Sequence, residues 1–205
     1  MPYSSEHKQE TRAKIVECAR ILFNRHGFQD VTIDQIMREA GLTRGGFYNH
    51  FKSKEALYSA AVSSFLIGRG AQWRQGAGVD PQKPSPDMSR RMIEGYLSSA
   101  HLGDLDGQCP MIALPSDVAR ANPDVQASYQ ELLEAMVWLF ESGAGADPQA
   151  SNANEEAGQL ARQKALSLAA LCVGGMVLAR SLPDSTLADE VRRAAHQTAT
   201  EMTMA

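Results

Sequence analysis

Apolar side chains recur along this chain at intervals of three and four, and no stretch alternates in the two-residue period of a half-buried strand. An all-α fold of about nine helices is expected. The first covers residues 10–26, with Ile15, Cys18, Ala19, Leu22 and Phe23 on one face and Gly27 as its stop. Thr32 opens a short second helix with the buried stripe Ile33, Ile36 and Met37, and Gln35 completes a capping box. Gly41 supplies a tight turn. Thr43 is expected to cap a third helix running to about Phe51, with Phe47 and Phe51 four apart on its apolar edge.

Ser53 should cap a fourth helix reaching about residue 75, lined by Leu57, Ala60, Ala61 and Phe65. The Gly- and Pro-rich stretch 76–87 interrupts the pattern. A fifth helix over 88–101 turns Met88, Met92, Ile93, Tyr96 and Leu97 inward. Residues 103–108 read as a loop, and 109–121 as a short helix bent near Pro115. Asn122-Pro123 is a cap followed by a first-turn proline, starting a helix with the stripe Tyr129, Leu132, Leu133, Met136, Val137 and Phe140. Residues 143–154 read as a mobile loop. An eighth helix covers 155–181, and Pro183-Asp184-Ser185 leads into a ninth with Leu187, Val191, Ala195, Thr198 and Met202.

The second and third helices with their glycine turn form a helix-turn-helix pattern, whose second helix enters a DNA major groove. That helix is rich in small and polar groups: Arg44, Gly45, Gly46, Tyr48, Asn49, His50 and Lys52. Two glycines near a helix start cost roughly 1 kcal/mol each relative to alanine. Bare backbone there suits a helix that another surface must approach closely, as base edges and phosphates do. Arg44 opens the helix, where a guanidinium can reach guanine O6 and N7 together; the alternative is a phosphate contact or a solvated arginine.

Charge changes the picture. The chain has 205 residues and a net charge of −4. Residues 1–54 hold nine Lys or Arg against six Asp or Glu, a net +3, and the remainder hold eleven against eighteen, a net −7. A basic head on an acidic body suits a protein that docks one end on nucleic acid. The expected division is therefore a DNA-binding domain over 1–54 and a helical body over 55–205. No apolar leader is seen at the start, and 165–179 is shorter than a bilayer span of about 20 residues, so a cytoplasmic protein is expected. Cys18, Cys109 and Cys172 show no paired spacing, so neither a metal site nor a disulfide framework is suggested.

The histidines His7, His26, His50, His101 and His196 are scattered, and no His-Glu-x-x-His, Glu-x-x-His or nucleophile-elbow pattern occurs. Gly174-Gly175 lacks the strand and the Lys-Ser/Thr of a phosphate loop. No catalytic residue and no cofactor is expected. An all-helical enzyme stays a distant alternative. A protein-only scaffold would not account for the polar, double-glycine third helix.

Ile15, Cys18, Ala19, Leu22, Phe23, Gly27 and Phe28, then Val31-Thr32-Ile33 and Ile36, then Ala40-Gly41-Leu42-Thr43, Gly46-Phe47-Tyr48, His50-Phe51-Lys52-Ser53-Lys54 and Leu57 together resemble the DNA-binding domain of the TetR family of bacterial transcription regulators. The resemblance covers about residues 10–60. It implies phosphate contacts by Thr32, Thr43, Tyr48, His50 and Lys54, a choice of hydroxyls and cations that suits phosphate oxygens in kind. It implies a homodimeric regulator, more often a repressor than an activator, bound to a palindromic operator and released by a small molecule. Met88, Met92, Tyr96, Met111, Tyr129, Leu133, Met136 and Phe140 come from segments that surround one cavity in the family layout, although an ordinary core explains each of them as well.

The resemblance also places the dimer seam on the last two helices, where Leu168, Leu171, Gly174, Gly175, Val191 and Ala195 are candidates. Cys109 follows Gly107-Gln108 and precedes Pro110 at a helix start, which would favour its thiolate. A Gly-Cys-Pro segment near here serves some TetR-like regulators as an electrophile or oxidant sensor, but Gln108 interrupts that pattern. A redox-sensing repressor acting through Cys109 is therefore the alternative to release by a non-covalent ligand.

Overall fold

The computed structural model describes residues 5–143, 155–183 and 185–204, and these are helical with no strand among them. The expected loop over 143–154 lies, apart from Gly143, outside the described residues, as does Asp184. The helices are α1 (Ser5–Asp30), α2 (Ile33–Glu39), a 3-10 segment (Arg44–Asn49), α3 (Lys54–Ile67), α4 (Arg69–Gly76), α5 (Met88–Tyr96), α6 (Ser99–Gly103), α7 (Pro110–Ala113), α8 (Pro115–Ala119), α9 (Pro123–Gly143), α10 (Glu155–Ser181) and α11 (Thr186–Met204).

The excess over nine helices has local causes. The expected helix over 53–75 breaks at Gly68 (φ −99°, ψ −110°), where a Cβ would stand 2.9 Å from the Ser64 carbonyl oxygen. The expected helix over 88–101 stops at Tyr96, and Ser98 caps a new one by accepting from the His101 N–H at 3.0 Å. Gly27 ends the regular run of α1 as expected, with φ 77° and ψ 170°. α9 starts as read, with Asn122 Oδ1 accepting from the Val125 N–H at 3.1 Å.

The chain forms two compact units. The first joins Met1–Arg69 to Leu105–Glu131, and the second joins Gly70–Asp104 to Leu132–Ala205. Neither follows a single cut at residue 54, because segment 105–131 belongs with the head. In the first unit, Ile15, Ala19 and Phe23 of α1 are fully buried with Leu57 and Tyr58 of α3. The Tyr58 ring stacks on Phe28 at 4.6 Å and meets Phe23 edge-on at 5.0 Å. Polar contacts tie α1 to the later segment. Arg20 donates to the Asp106 carbonyl, Asn24 donates to the Gln108 carbonyl at 2.8 Å, and Arg25 pairs with the Asp106 carboxylate. The break at Gly27 frees the Phe28 N–H from helix bonding, and Asp117 accepts from it at 2.9 Å.

In the second unit α10 and α11 pack on each other, and α11 also meets α5, where Arg192 donates to the Leu97 carbonyl at 2.7 Å. Glu156–Ser181 is long and apolar enough by length and composition to cross a bilayer, longer than the 165–179 stretch read from sequence. Its apolarity also serves packing: Ala165, Leu168, Ala169, Cys172, Met176 and Ala179 are all buried in the unit.

Candidate nucleic-acid interface

The helix-turn-helix forms from local bonds that the sequence specifies. Thr32 Oγ1 accepts from the Gln35 N–H at 3.2 Å, and Gln35 Oε1 accepts from the Thr32 N–H at 2.7 Å, closing the expected capping box. At the other end of α2, Gly41 takes φ 68°, its N–H bonds the Arg38 carbonyl at 2.9 Å, and the Leu42 N–H bonds the Met37 carbonyl at 2.8 Å. Those two bonds satisfy carbonyls the helix end would leave bare, and they need a left-handed residue between them.

The recognition segment differs from the expected α-helix. Arg44–Asn49 is a 3-10 turn of six residues, and Thr43 gives no side-chain cap. Its carbonyl, not its hydroxyl, takes the Gly46 N–H, at 3.0 Å. The i→i+3 bonding of a 3-10 turn thus uses a donor that a capping hydroxyl would otherwise take. Phe47 is fully buried and Phe51 nearly so, which anchors the segment, while Arg12 of α1 lies over the Phe51 ring at 4.5 Å.

The predicted reading residues lie mostly on the solvent side. Thr32, Thr43, Arg44, Gly45, Tyr48 and Asn49 are exposed, Gly46, His50 and Lys54 are half-buried, and Tyr48 keeps 61% of its surface. A Cβ at Gly45 would meet nothing within 4 Å, and one at Gly46 only ordinary contacts. The protein's own packing therefore does not call for the glycine pair. Arg44 Nη1 is held by Asp34 Oδ2 at 2.9 Å, a partner the sequence reading missed. Lys54 Nζ sits 4.1 Å over the Phe28 ring, and its pKa is lowered by burial.

Behind the reading edge lies an open cleft of about 400 Å³. Thr43, Gly46, Asn49 and His50 line it together with Met37 and Leu42, and His7, Lys8 and Thr11 close it from α1. The sequence reading missed these last three. Their helical spacing with Arg12 was the available signal.

The other predicted residues divide between the units. Met88, Met92, Tyr96, Leu133, Met136 and Phe140 are in the second; Met111 and Tyr129 are in the first, where the Tyr129 hydroxyl donates to the Met111 carbonyl at 3.3 Å. Tyr96 packs edge-on against Trp73 and His101, at 6.1 and 4.9 Å. A cavity of about 40 Å³, room for a few waters at most, touches Phe140 but none of the other predicted pocket residues. Cys109 precedes a four-residue helix and is 2% exposed. Of the seam candidates, Leu168, Gly175 and Ala195 are already buried within one chain, and a Cβ on Gly175 would come 2.6 Å from that of Ala195. Leu171, Gly174 and Val191 remain partly exposed. Among the described residues no group of His, Cys, Asp and Glu is arranged to hold a metal ion.

These features define a helix-turn-helix DNA-binding domain within an all-helical chain. Residues 15–61 match the family model of bacterial regulatory proteins, tetR family, and the chain carries that family's N-terminal domain. The Transposon Tn10 TetC protein of Escherichia coli is 43% identical over 65 residues, 32% of this chain and 33% of that protein. The chain thus spans about a third of the length of the curated relatives it matches. E. coli NemR in its reduced form shares the fold over 94% of this chain and 96% of its own, with TM-score 0.68 and 16% identity. SmeT, the repressor of a Stenotrophomonas maltophilia multidrug efflux pump, does so over 95% and 90%, with TM-score 0.58 and 22% identity.

Proposed function

We propose that the protein is a ligand-responsive transcription repressor, not an enzyme, that binds a palindromic operator as a homodimer in the bacterial cytoplasm. The observation that carries this is the exposed recognition segment, whose paired glycines serve no packing in the chain itself, within a TetR-type domain. Arg44 reads a guanine edge. Thr32, Thr43, Tyr48, His50 and Lys54 bind backbone phosphates, Asn49 lies at the DNA surface beside them, and Gly45 and Gly46 allow the approach. SmeT, with the same fold, is itself a repressor.

An outward stripe on α10 supports dimerisation: Leu160, Ser167, Leu171, Gly174 and Leu178 follow one another at helical spacing, and Leu160 and Leu178 keep 66% and 57% of their surface. With Leu187 and Val191 of α11 it supplies an apolar face for a two-fold partner. The effector is a small molecule received among Met88, Met92, Tyr96, Leu133, Met136 and Phe140 of the second unit, where the three methionine thioethers adapt to varied shapes. It favours a state in which the paired heads no longer match half-sites one helical turn, roughly 34 Å, apart.

A mobility shift of the purified chain on the DNA upstream of its own gene tests this. A saturable complex, resistant to random competitor, is expected. Retardation no stronger than on random duplex would exclude a specific regulator.

A further inference from the structure

The cleft between α1 and the recognition segment has the chemistry of an anion site. Its charged and titratable lining is His7, Lys8 and His50, with the hydroxyls of Thr11 and Thr43 and the amide of Asn49 alongside, and no carboxylate lines it. His50 is the informative residue. Its Nδ1 is buried and has no hydrogen-bond partner. A buried polar atom left so costs stability unless something else bonds it. Burial, and then the charges of Lys8 and Arg12, hold the imidazole below the ordinary histidine range, so the ring is neutral near pH 7 in the free chain. The groups facing it are Lys8 and Arg12 from α1, with His7 on the same wall; Met37 of α2 and Thr43, Gly46 and Asn49 of the recognition segment bring no charge. An occupant that accepts several hydrogen bonds and carries negative charge suits this lining. A tetrahedral phosphate does both.

We propose that the cleft seats one backbone phosphate of the bound DNA between Lys8 of α1 and His50 of the recognition segment, with the imidazole taking a proton from solvent as the phosphate enters and pairing with it as a cation. This rests on the DNA-binding reading above and deepens it in two respects. The footprint extends to the first turns of α1, and operator binding takes up protons. The sign follows from the two states. In the free chain the ring is disfavoured as a cation, and beside a phosphate it is favoured, so affinity falls as pH rises between the two transitions, by at most tenfold per pH unit for each head.

The test is operator affinity of the full chain by fluorescence anisotropy at constant ionic strength, from about pH 5.5 to about 8.5, alongside His50→Gln, His7→Gln and Lys8→Ala. Thermal melts confirm that each variant is folded. The parent should bind more weakly as pH rises, His7→Gln should keep that slope and His50→Gln should flatten it. Lys8→Ala should weaken operator and random DNA alike and lower the salt slope by about one for each head. A pH-independent parent, a slope surviving in His50→Gln, or an unaffected Lys8→Ala would each overturn the proposal while leaving DNA binding intact. A parent that binds no DNA at any pH would instead defeat the reading beneath it. Inorganic phosphate displacing the DNA at low millimolar concentration, ionic strength held constant, would assign the cleft to a free anion and overturn its assignment to the DNA backbone.

Discussion

Asp34 of α2 holds the guanidinium of Arg44, Oδ2 to Nη1 at 2.9 Å, across the turn that separates the two halves of the helix-turn-helix. Both side chains are about half exposed or more, and a pair of that kind contributes about 0–1 kcal/mol. A guanine contact worth about 1–3 kcal/mol can displace it. Arg44→Ala should therefore weaken operator binding by about 1–3 kcal/mol and relax sequence preference. Asp34→Asn should tighten binding, because it frees the arginine and removes a carboxylate facing DNA. Affinities on cognate and random duplexes measure both. An Arg44→Ala protein that discriminates as the parent does would remove Arg44 from base reading.

Gly45 separates folding from function. Its Cβ position is empty, so Gly45→Ala should leave the melting temperature unchanged or raise it slightly, by up to about 1 kcal/mol in stability. Operator affinity should fall, since the added methyl stands where DNA approaches. Melting curves and mobility shifts on the same preparation check the two halves.

Gly175 and Leu178 should behave oppositely. Gly175→Leu forces a side chain into the α10–α11 contact against Ala195 and should lower stability in a thermal melt. Leu178→Glu changes a position exposed within one chain and should shift light scattering from dimer toward monomer and weaken operator binding, lowering the melt only by the stability that association lends. A parent that is monomeric at micromolar concentration would rule out the seam.

The thiols should react in an order set by exposure. Burial pushes the Cys172 thiol up to about 12, and it should stay unlabelled in the native chain. Cys109 is also covered, whereas Cys18 is the partly exposed one, though burial raises its pKa as well. Brief maleimide or peroxide treatment followed by mass spectrometry should find Cys109 slow, and Cys109→Ser should retain operator binding and its release by ligand. Rapid modification of Cys109 with loss of binding, absent in Cys109→Ser, would instead establish the redox alternative.

What was legible in the chain follows from how locally each feature is encoded. The capping box of Thr32 and Gln35, the positive φ at Gly41, the stop at Gly27 and the caps at Ser53 and Asn122 each depend on residues a few positions apart, and all appear where the sequence puts them. The helical period, the head motif and the family likeness need no more than that. The breaks at Gly68 and Leu97 and the 3-10 form of Arg44–Asn49 were not legible, because each is a competition between backbone bonds that the apolar stripe continues straight through.

Tertiary structure alone decided which distant groups share a surface. It joined residues 105–131 to the first unit through Arg25–Asp106 and Asp117–Phe28, set Asp34 on Arg44, laid Lys54 over Phe28, and brought His7, Lys8 and Thr11 to the cleft that His50 lines. It also turned Gly175 toward Ala195 within one chain, leaving Leu171, Gly174 and Leu178 facing out. Helical spacing says that these residues lie on faces. Only the packing of one helix on another decides which face is covered and which is left exposed.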